Sequence, residues 1–197
     1  ILGYVDPDDA ILPTAIERSL EIFTKDKKTV LTYSRFFSCD KDLKPLTPFK
    51  SAVQVQNKDP YFFNYPIQIA HFVCFKKATY LATEKMNPEL KISEDQDLYL
   101  KLYEKGKVVF IDETNYLYRT HEGGISQNDH KKKSYEYWAK VIFSAMKRRN
   151  LKTINGKNIP EKFTNSEEIF SLLAYQNSIS YRIKKKLKIL FQSLFHS

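Results

Sequence analysis

The sequence predicts an α/β protein, a mixed sheet flanked by helices and followed by a helical C-terminal appendage. Two features predict it. Over roughly residues 1–128, short apolar runs alternate with segments whose apolar residues recur at helical spacing. From about residue 130 the helical texture continues alone, broken by one turn-rich stretch. A chain of 197 residues has room for one core of ordinary size and an appendage. The expected division is 1–128 for the sheet-bearing part and 129–197 for the helical extension.

The elements follow in order. Residues 1–5 are an apolar run and predict a buried strand. Thr14-Ala15-Ile16-Glu17 has the form of a capping box, and Ile16, Leu20 and Phe23 recur at helical spacing, so a helix is expected over roughly 13–24. Residues 29–34 predict a strand. Residues 38–66 carry several Pro, Lys and Asp residues and predict a long loop with short strands, a length often associated with function. Residues 67–76 alternate in part and predict a strand, with a short helix near 77–85. Ser93-Glu94-Asp95-Gln96 is a second capping box; Leu98, Leu102 and Tyr103 continue the helical face and Gly106 ends it. Residues 108–111 and 116–119 predict strands. A helix from about 130 places Tyr135, Trp138, Ile142 and Ala145 on one face, residues 150–160 predict a linker, and two helices are expected near 165–177 and 180–195.

Composition narrows the classes. Hydrophobic residues make up 42% and aromatics 14%, which suits a packed chain and excludes a disordered one. The net charge of +9 points to an anionic partner, and by itself does not choose among nucleic acid, membrane surface and anionic substrate. The charge is concentrated in Lys131-Lys132-Lys133, Lys147-Arg148-Arg149 and Lys184-Lys185-Lys186, without any nucleic-acid-binding motif, so no nucleic-acid partner is expected. The two cysteines, Cys39 and Cys74, have no metal-binding spacing and predict buried thiols in a reducing cytoplasm. No stretch reaches the ~18 apolar residues of a membrane span. The richness in Lys, Asn, Ile, Tyr and Phe fits AT-rich codons and hence a low-GC bacterium.

Two acidic clusters carry the chemistry. Asp6-Pro7-Asp8-Asp9 directly follows the first apolar run, and Glu94-Asp95-Gln96-Asp97 opens the second capping-box helix. Carboxylates at the end of a strand supply hard oxygen ligands for Mg²⁺ or Mn²⁺. On extended backbone Asp6 and Asp8 would share a face and approach one ion, with Asp9 orienting the following turn. The bland alternative is a solvated turn before a helix. Asp95, in a first helical turn where the helix dipole favours a carboxylate, is the candidate general base. Glu94 and Asp97 are expected to orient it or the acceptor, or to serve helix stability alone. Arg119 is placed to contact phosphate or to pair with a carboxylate. His121 precedes Glu122-Gly123-Gly124, a flexible turn able to fold over a diphosphate.

The order of these motifs resembles the family 2 glycosyltransferases, inverting nucleotide-sugar enzymes of the GT-A fold. The carriers are Asp6-Pro7-Asp8-Asp9 followed by Pro13, Glu94-Asp95-Gln96-Asp97-Leu98, and Tyr118-Arg119-Thr120-His121 followed by Ser126. Together they cover about residues 1–127. The resemblance implies a partial GT-A, Rossmann-like mixed sheet, with residues 1–128 as the C-terminal half of the catalytic domain. It implies a divalent metal, Mn²⁺ or Mg²⁺, held by Asp6, Asp8 and His121, with Asp9 and Arg119 on the donor phosphates and Asp95 as the base of a single inverting displacement. The implied partners are a nucleotide-sugar donor and a glycan or lipid-linked acceptor, as in bacterial surface polysaccharide assembly. Two departures stand out. The family's N-terminal nucleotide-binding half is missing ahead of Ile1, so the chain is expected to be a fragment with little or no transferase activity alone. Pro7 stands where the family usually has a small residue.

At the C-terminal end Ile183, Leu187, Leu190, Phe191, Leu194 and Phe195 share one helical face, and Lys184, Lys185 and Lys188 take much of the opposite one. A basic amphipathic helix of this kind fits in-plane attachment to an anionic membrane, which would place a cytoplasmic enzyme on the inner face of the plasma membrane. Packing on the domain or on a partner chain is the competing expectation. Two other function classes compete with glycosyl transfer. Metal-dependent phosphoryl transfer or nuclease chemistry would use the same carboxylates, but the acids are not clustered as in two-metal sites and no phosphate-cradling Gly-rich loop is present. A non-catalytic remnant, or a basic module binding membrane or nucleic acid, is the other.

Overall fold

The computed structural model describes residues 1–120 and 131–195. The chain is a mixed α/β protein; among the described residues its strands form one six-stranded sheet, with a separate two-stranded hairpin. In chain order the elements are β1 (Leu2–Gly3), β2 (Ala10–Ile11), α1 (Ala15–Lys25), β3 (Thr29–Cys39), β4 (Pro45–Pro48), β5 (Cys74–Phe75), α2 (Lys77–Leu81), α3 (Glu94–Tyr103), β6 (Lys107–Arg119), α4 (Lys131–Arg148), β7 (Thr153–Ile154), β8 (Lys157–Asn158), α5 (Ser166–Leu173), a 3-10 turn (Ala174–Asn177) and α6 (Ile179–Phe195). They fall into two compact units. The first is built from residues 1–58, 66–85 and the chain from 101 through β6; the second from 59–65, 86–100 and the chain from α4 onward.

In the first unit the sheet order is β1-β5-β3-β6-β2, with β4 added to β3. Among the described residues only β3 and β6 run parallel; the remaining pairs are antiparallel. β3 is central because its first half, Thr29-Val30-Leu31-Thr32-Tyr33-Ser34, is buried throughout, as expected of a strand covered on both faces. β6 is longer than expected. Its polar middle, Asp112-Glu113-Thr114-Asn115, stays in the ladder across register shifts opposite Tyr33 to Phe36. Arg35 pairs with Asp112, and Arg18 of α1 pairs with Glu113 and donates to Asn115 Oδ1 at 2.8 Å. These partners let a polar run remain a strand.

The long loop after β4 feeds the sheet without becoming a strand. Gln54 and Asn57 use their side-chain amides as a substitute ladder: both donate to Val108 O, and they accept from Phe110 N and Val108 N. Tyr33 Oη donates to Val53 O at 2.6 Å. The strand expected over 67–76 shrinks to Cys74–Phe75. Residues 1–5 also differ from expectation: β1 is a two-residue edge strand with Leu2 and Gly3 exposed, not a buried one. Gly106 is required where the chain enters β6, since a Cβ there would lie 2.4 Å from Val30 Cγ1.

Helix α1 buries a different stripe from the one periodicity selects. Ala15, Ser19 and Phe23 face the sheet, while Ile16 and Leu20 are exposed. Ser19 is tolerated inside because its hydroxyl donates to Ala15 O at 3.0 Å. Thr14 makes no side-chain capping bond, so the capping-box form is not realised there. Phe23, Phe72, Cys74 and Tyr116 pack with Ala15 into one apolar cluster. Both cysteines are buried and unbridged, and burial raises each thiol above its ordinary range.

The second unit is helical. Ile142 and Ala145 of α4 are fully buried, and Trp138 packs with Tyr65, Tyr135 and Phe170 at ring separations of 5.4, 6.0 and 5.4 Å. α5 starts under a side-chain cap, Asn165 Oδ1 accepting from Glu168 N at 2.9 Å. The expected linker at 150–160 contains the β7–β8 hairpin, turned by Asn155 and Gly156 at φ 48 and 76. Asn-Gly suits a two-residue hairpin turn with both φ values positive. Among the described residues no helix is long and apolar enough to cross a membrane.

Candidate functional site

The first acidic cluster is a turn tied to the end of β6. Asp9 N donates to Asp6 O at 3.0 Å, closing a turn with Pro7 and Asp8 at its corner. The extended backbone expected to put Asp6 and Asp8 on one face is therefore replaced by a bend, which Pro7 favours by presetting φ at the corner. β2 follows at once and pairs with β6 through Ala10↔Leu117 and Ile11↔Tyr116.

Tyr116 and Arg119 lock the turn. The fully buried Tyr116 donates its hydroxyl to Asp9 Oδ2 at 2.7 Å and accepts from Asp6 N at 3.2 Å. Arg119 N donates to Asp9 Oδ1 at 2.8 Å, so both carboxylate oxygens of Asp9 are engaged. The Arg119 guanidinium reaches the backbone, donating from Nε to Asp8 O at 2.6 Å and from Nη1 to Lys41 O. Burial pushes the Asp9 carboxyl above its ordinary range, opposed by the Arg119 amide and the Tyr116 hydroxyl and reinforced by the neighbouring Asp8 and Asp6. Tyr116 is pushed well up, first by burial, with Asp9 adding to the shift.

Asp8 is exposed and Asp6 half-buried at this turn. Two hard carboxylates on one turn match a Mg²⁺-like ion, which commonly takes one or two protein carboxylates and completes its sphere with water and substrate phosphate. Among the described residues no group of three or more His, Cys, Asp or Glu side chains converges on a metal position. His121 lies outside the described residues.

The second cluster stands on the other unit, at the start of α3. Ser93 precedes the helix at φ 63, and its carbonyl accepts from Asp97 N at 3.1 Å. Asn64 Nδ2 donates to Gln96 Oε1 at 2.7 Å, and Gln96 Nε2 donates to Asp95 Oδ2 at 3.0 Å. This buried amide relay orients the half-buried Asp95 carboxylate. Glu94 is half-buried beside it. Asp97 turns inward, where Arg148 of α4 stands 3.9 Å from its Oδ1. In this unit Arg149 donates to the carbonyls of Pro60 and Phe62 and covers the Phe63 ring at 4.9 Å, holding the segment that carries Asn64.

The structure thus brings Asp6, Asp8, Asp9 and Arg119 together in the first unit and Glu94, Asp95 and Asp97 in the second. Sequence reasoning missed Tyr116, Gln96 and Asn64. Gln96 was visible, set between the two aspartates of the motif. Tyr116 and Tyr118 alternate before Arg119, which marks a strand face but gives no sign that one hydroxyl reaches across to Asp9.

No protein-family model matches the chain. Over 195 residues it is 26% identical to a chondroitin synthase of Pasteurella multocida (strain Pm70), an alignment that covers 95% of this chain. The chain spans only 19% of the length of that relative.

Proposed function

We propose that this chain forms part of a glycosyltransferase of the GT-A type, moving a sugar from a nucleotide donor to a glycan or lipid-linked acceptor with inversion, in bacterial surface polysaccharide synthesis at the cytoplasmic side of the membrane. What carries the reading is the acidic turn, locked to β6 through Asp9, Tyr116 and Arg119. The similarity to a chondroitin synthase supports it in kind.

In this reading Asp6 and Asp8 hold Mn²⁺ or Mg²⁺, with His121 as the further ligand that the family resemblance implies. The ion, when bound, offsets the charge of the donor diphosphate as the nucleotide leaves. Asp9 holds the turn at a fixed place on the sheet. Arg119 braces the Asp8 and Lys41 carbonyls and adds positive charge beside the donor phosphates. Asp95 takes the proton of the acceptor hydroxyl, with Gln96 and Asn64 keeping its carboxylate aimed.

The test is a Mn²⁺ titration of the chain with UDP present, followed by the paramagnetic signal of free Mn²⁺. Wild type is expected to bind, Asp6→Ala and Asp8→Ala to lose binding, and Asp42→Ala, on an exposed loop, to keep it. Binding indifferent to Asp6 and Asp8 would overturn the metal assignment. In a transfer assay of the enzyme of which this chain forms part, Asp95→Asn is expected to lower kcat by about 10²–10⁴-fold while Mn²⁺–UDP binding by the chain stays unchanged.

A further inference from the structure

We propose that α6 is a membrane-docking helix lying in the plane of an anionic phospholipid surface. The inference does not rest on glycosyl transfer; it rests on how the helix divides its residues.

Ile179, Ile183, Leu187, Leu190 and Phe191 are all exposed, between 51% and 76%. At 3.6 residues per turn they fall within a sector of about 120°. Exposed basic residues border that sector on both sides, Arg182 and Lys186 along one edge and Lys184 and Lys188 along the other. The remaining face is the one that docks. Tyr181, Lys185, Ile189 and Gln192 are half-buried; Tyr181 meets the Tyr175 ring edge-on at 5.1 Å and Lys185 lies over the Phe62 ring at 5.3 Å. Lys185, counted by sequence among the opposite-face lysines, thus turns inward, and only its neighbours remain for an external partner.

Charge decides among the occupants of the stripe. α6 contains no acidic residue. Two copies packing stripe to stripe would set lysine rows against lysine rows with no carboxylate to pair them. A nucleic acid would use the bases and leave the apolar stripe in water. An anionic bilayer satisfies both, the stripe entering the acyl boundary while the flanking rows meet lipid phosphates. The helix is too polar to cross, so it lies flat.

The test is co-sedimentation of the full chain with phosphatidylcholine–phosphatidylglycerol vesicles and with phosphatidylcholine alone. Binding is expected only to the anionic vesicles, and to be lost when salt shortens the Debye length to about 3 Å. Each flanking Lys near such a surface strengthens partition about fivefold, so Lys184→Gln with Lys188→Gln is expected to weaken it about 25-fold. Ile183→Ser with Leu187→Ser, at exposed positions and with circular dichroism expected to match wild type, is expected to weaken it more than tenfold. Binding to neither vesicle, equal binding to both, or self-association abolished by the serine pair would overturn the proposal.

Discussion

Replacing Tyr116 by phenylalanine removes one oxygen and keeps the buried ring. The hydroxyl donates at 2.7 Å to the Asp9 carboxylate and accepts at 3.2 Å from Asp6 N. A hydrogen bond to a charged group contributes about 1.5–3 kcal/mol and a long neutral one about 0.5 kcal/mol, and water at the half-buried Asp9 restores part of the loss. The net cost at neutral pH is therefore about 2 kcal/mol, or roughly 4–8 °C in Tm for a chain of this size. The pH dependence has a definite sign. Asp9 sits above its ordinary range in the native state, so the folded chain holds that proton more tightly than the unfolded one, and stability declines as pH rises from the unfolded value of about 3.9 through the raised native one. The Tyr116 hydroxyl is one of the two hydrogen bonds that pull Asp9 down, so Tyr116→Phe lifts it further and its penalty grows across that window. Urea titrations followed by far-ultraviolet circular dichroism, at neutral pH and near pH 4, measure both quantities. Equal neutral-pH midpoints, or a penalty that shrinks toward neutral pH, would refute the argument that this hydroxyl holds an ionised Asp9.

Gly106→Ala drives a Cβ into the stiff Val30 side chain and is expected to cost about 1–3 kcal/mol; adding Val30→Ala should recover part of it, and a denaturation double-mutant cycle reads the coupling. Gln96→Leu removes the donor to the Asp95 carboxylate; with Asp95 as the proposed base, it should lower kcat of the enzyme of which this chain forms part about tenfold with little change in Mn²⁺–UDP binding, a split that separates orientation from donor affinity. Lys185 is held below its ordinary range by burial, with Asp59 opposing, so the native state binds that proton less tightly than the unfolded one and loses stability at neutral pH. Lys185→Met is accordingly expected to raise the urea midpoint at neutral pH, with the gain vanishing above the ordinary lysine value.

The helices were legible because their signals are local. α1, α3, α4 and α6 begin and end close to where helical spacing places them. Faces were less so. Ile16 and Leu20 satisfy helical spacing, yet Ala15 and Ser19 lie against the sheet, because a close helix–sheet approach favours small residues and Ser19 satisfies its hydroxyl on the helix itself. Strands failed where pairing is non-local. β6 was read as two pieces since Asp112 to Asn115 look like a turn, and the side chains that pair with that run in the ladder, Arg35 and Arg18, are distant in sequence. The site shows the same division. Both carboxylate clusters stood out as compositional anomalies, while the groups that orient them, Tyr116 for Asp9 and Asn64 for Gln96, act across 107 and 32 residues.

The two native thiols give the chain a practical property. Cys39 and Cys74 are buried, and burial holds both thiols in the protonated, unreactive form. A cysteine introduced at the exposed Lys157, beside the Asn155-Gly156 turn, would therefore react with maleimide selectively in the folded protein without removal of the native pair. A fluorophore carried there sits on a hairpin whose turn glycine has open space around it, so the proposed binding to vesicles or nucleotide can be tested with the wild-type core intact.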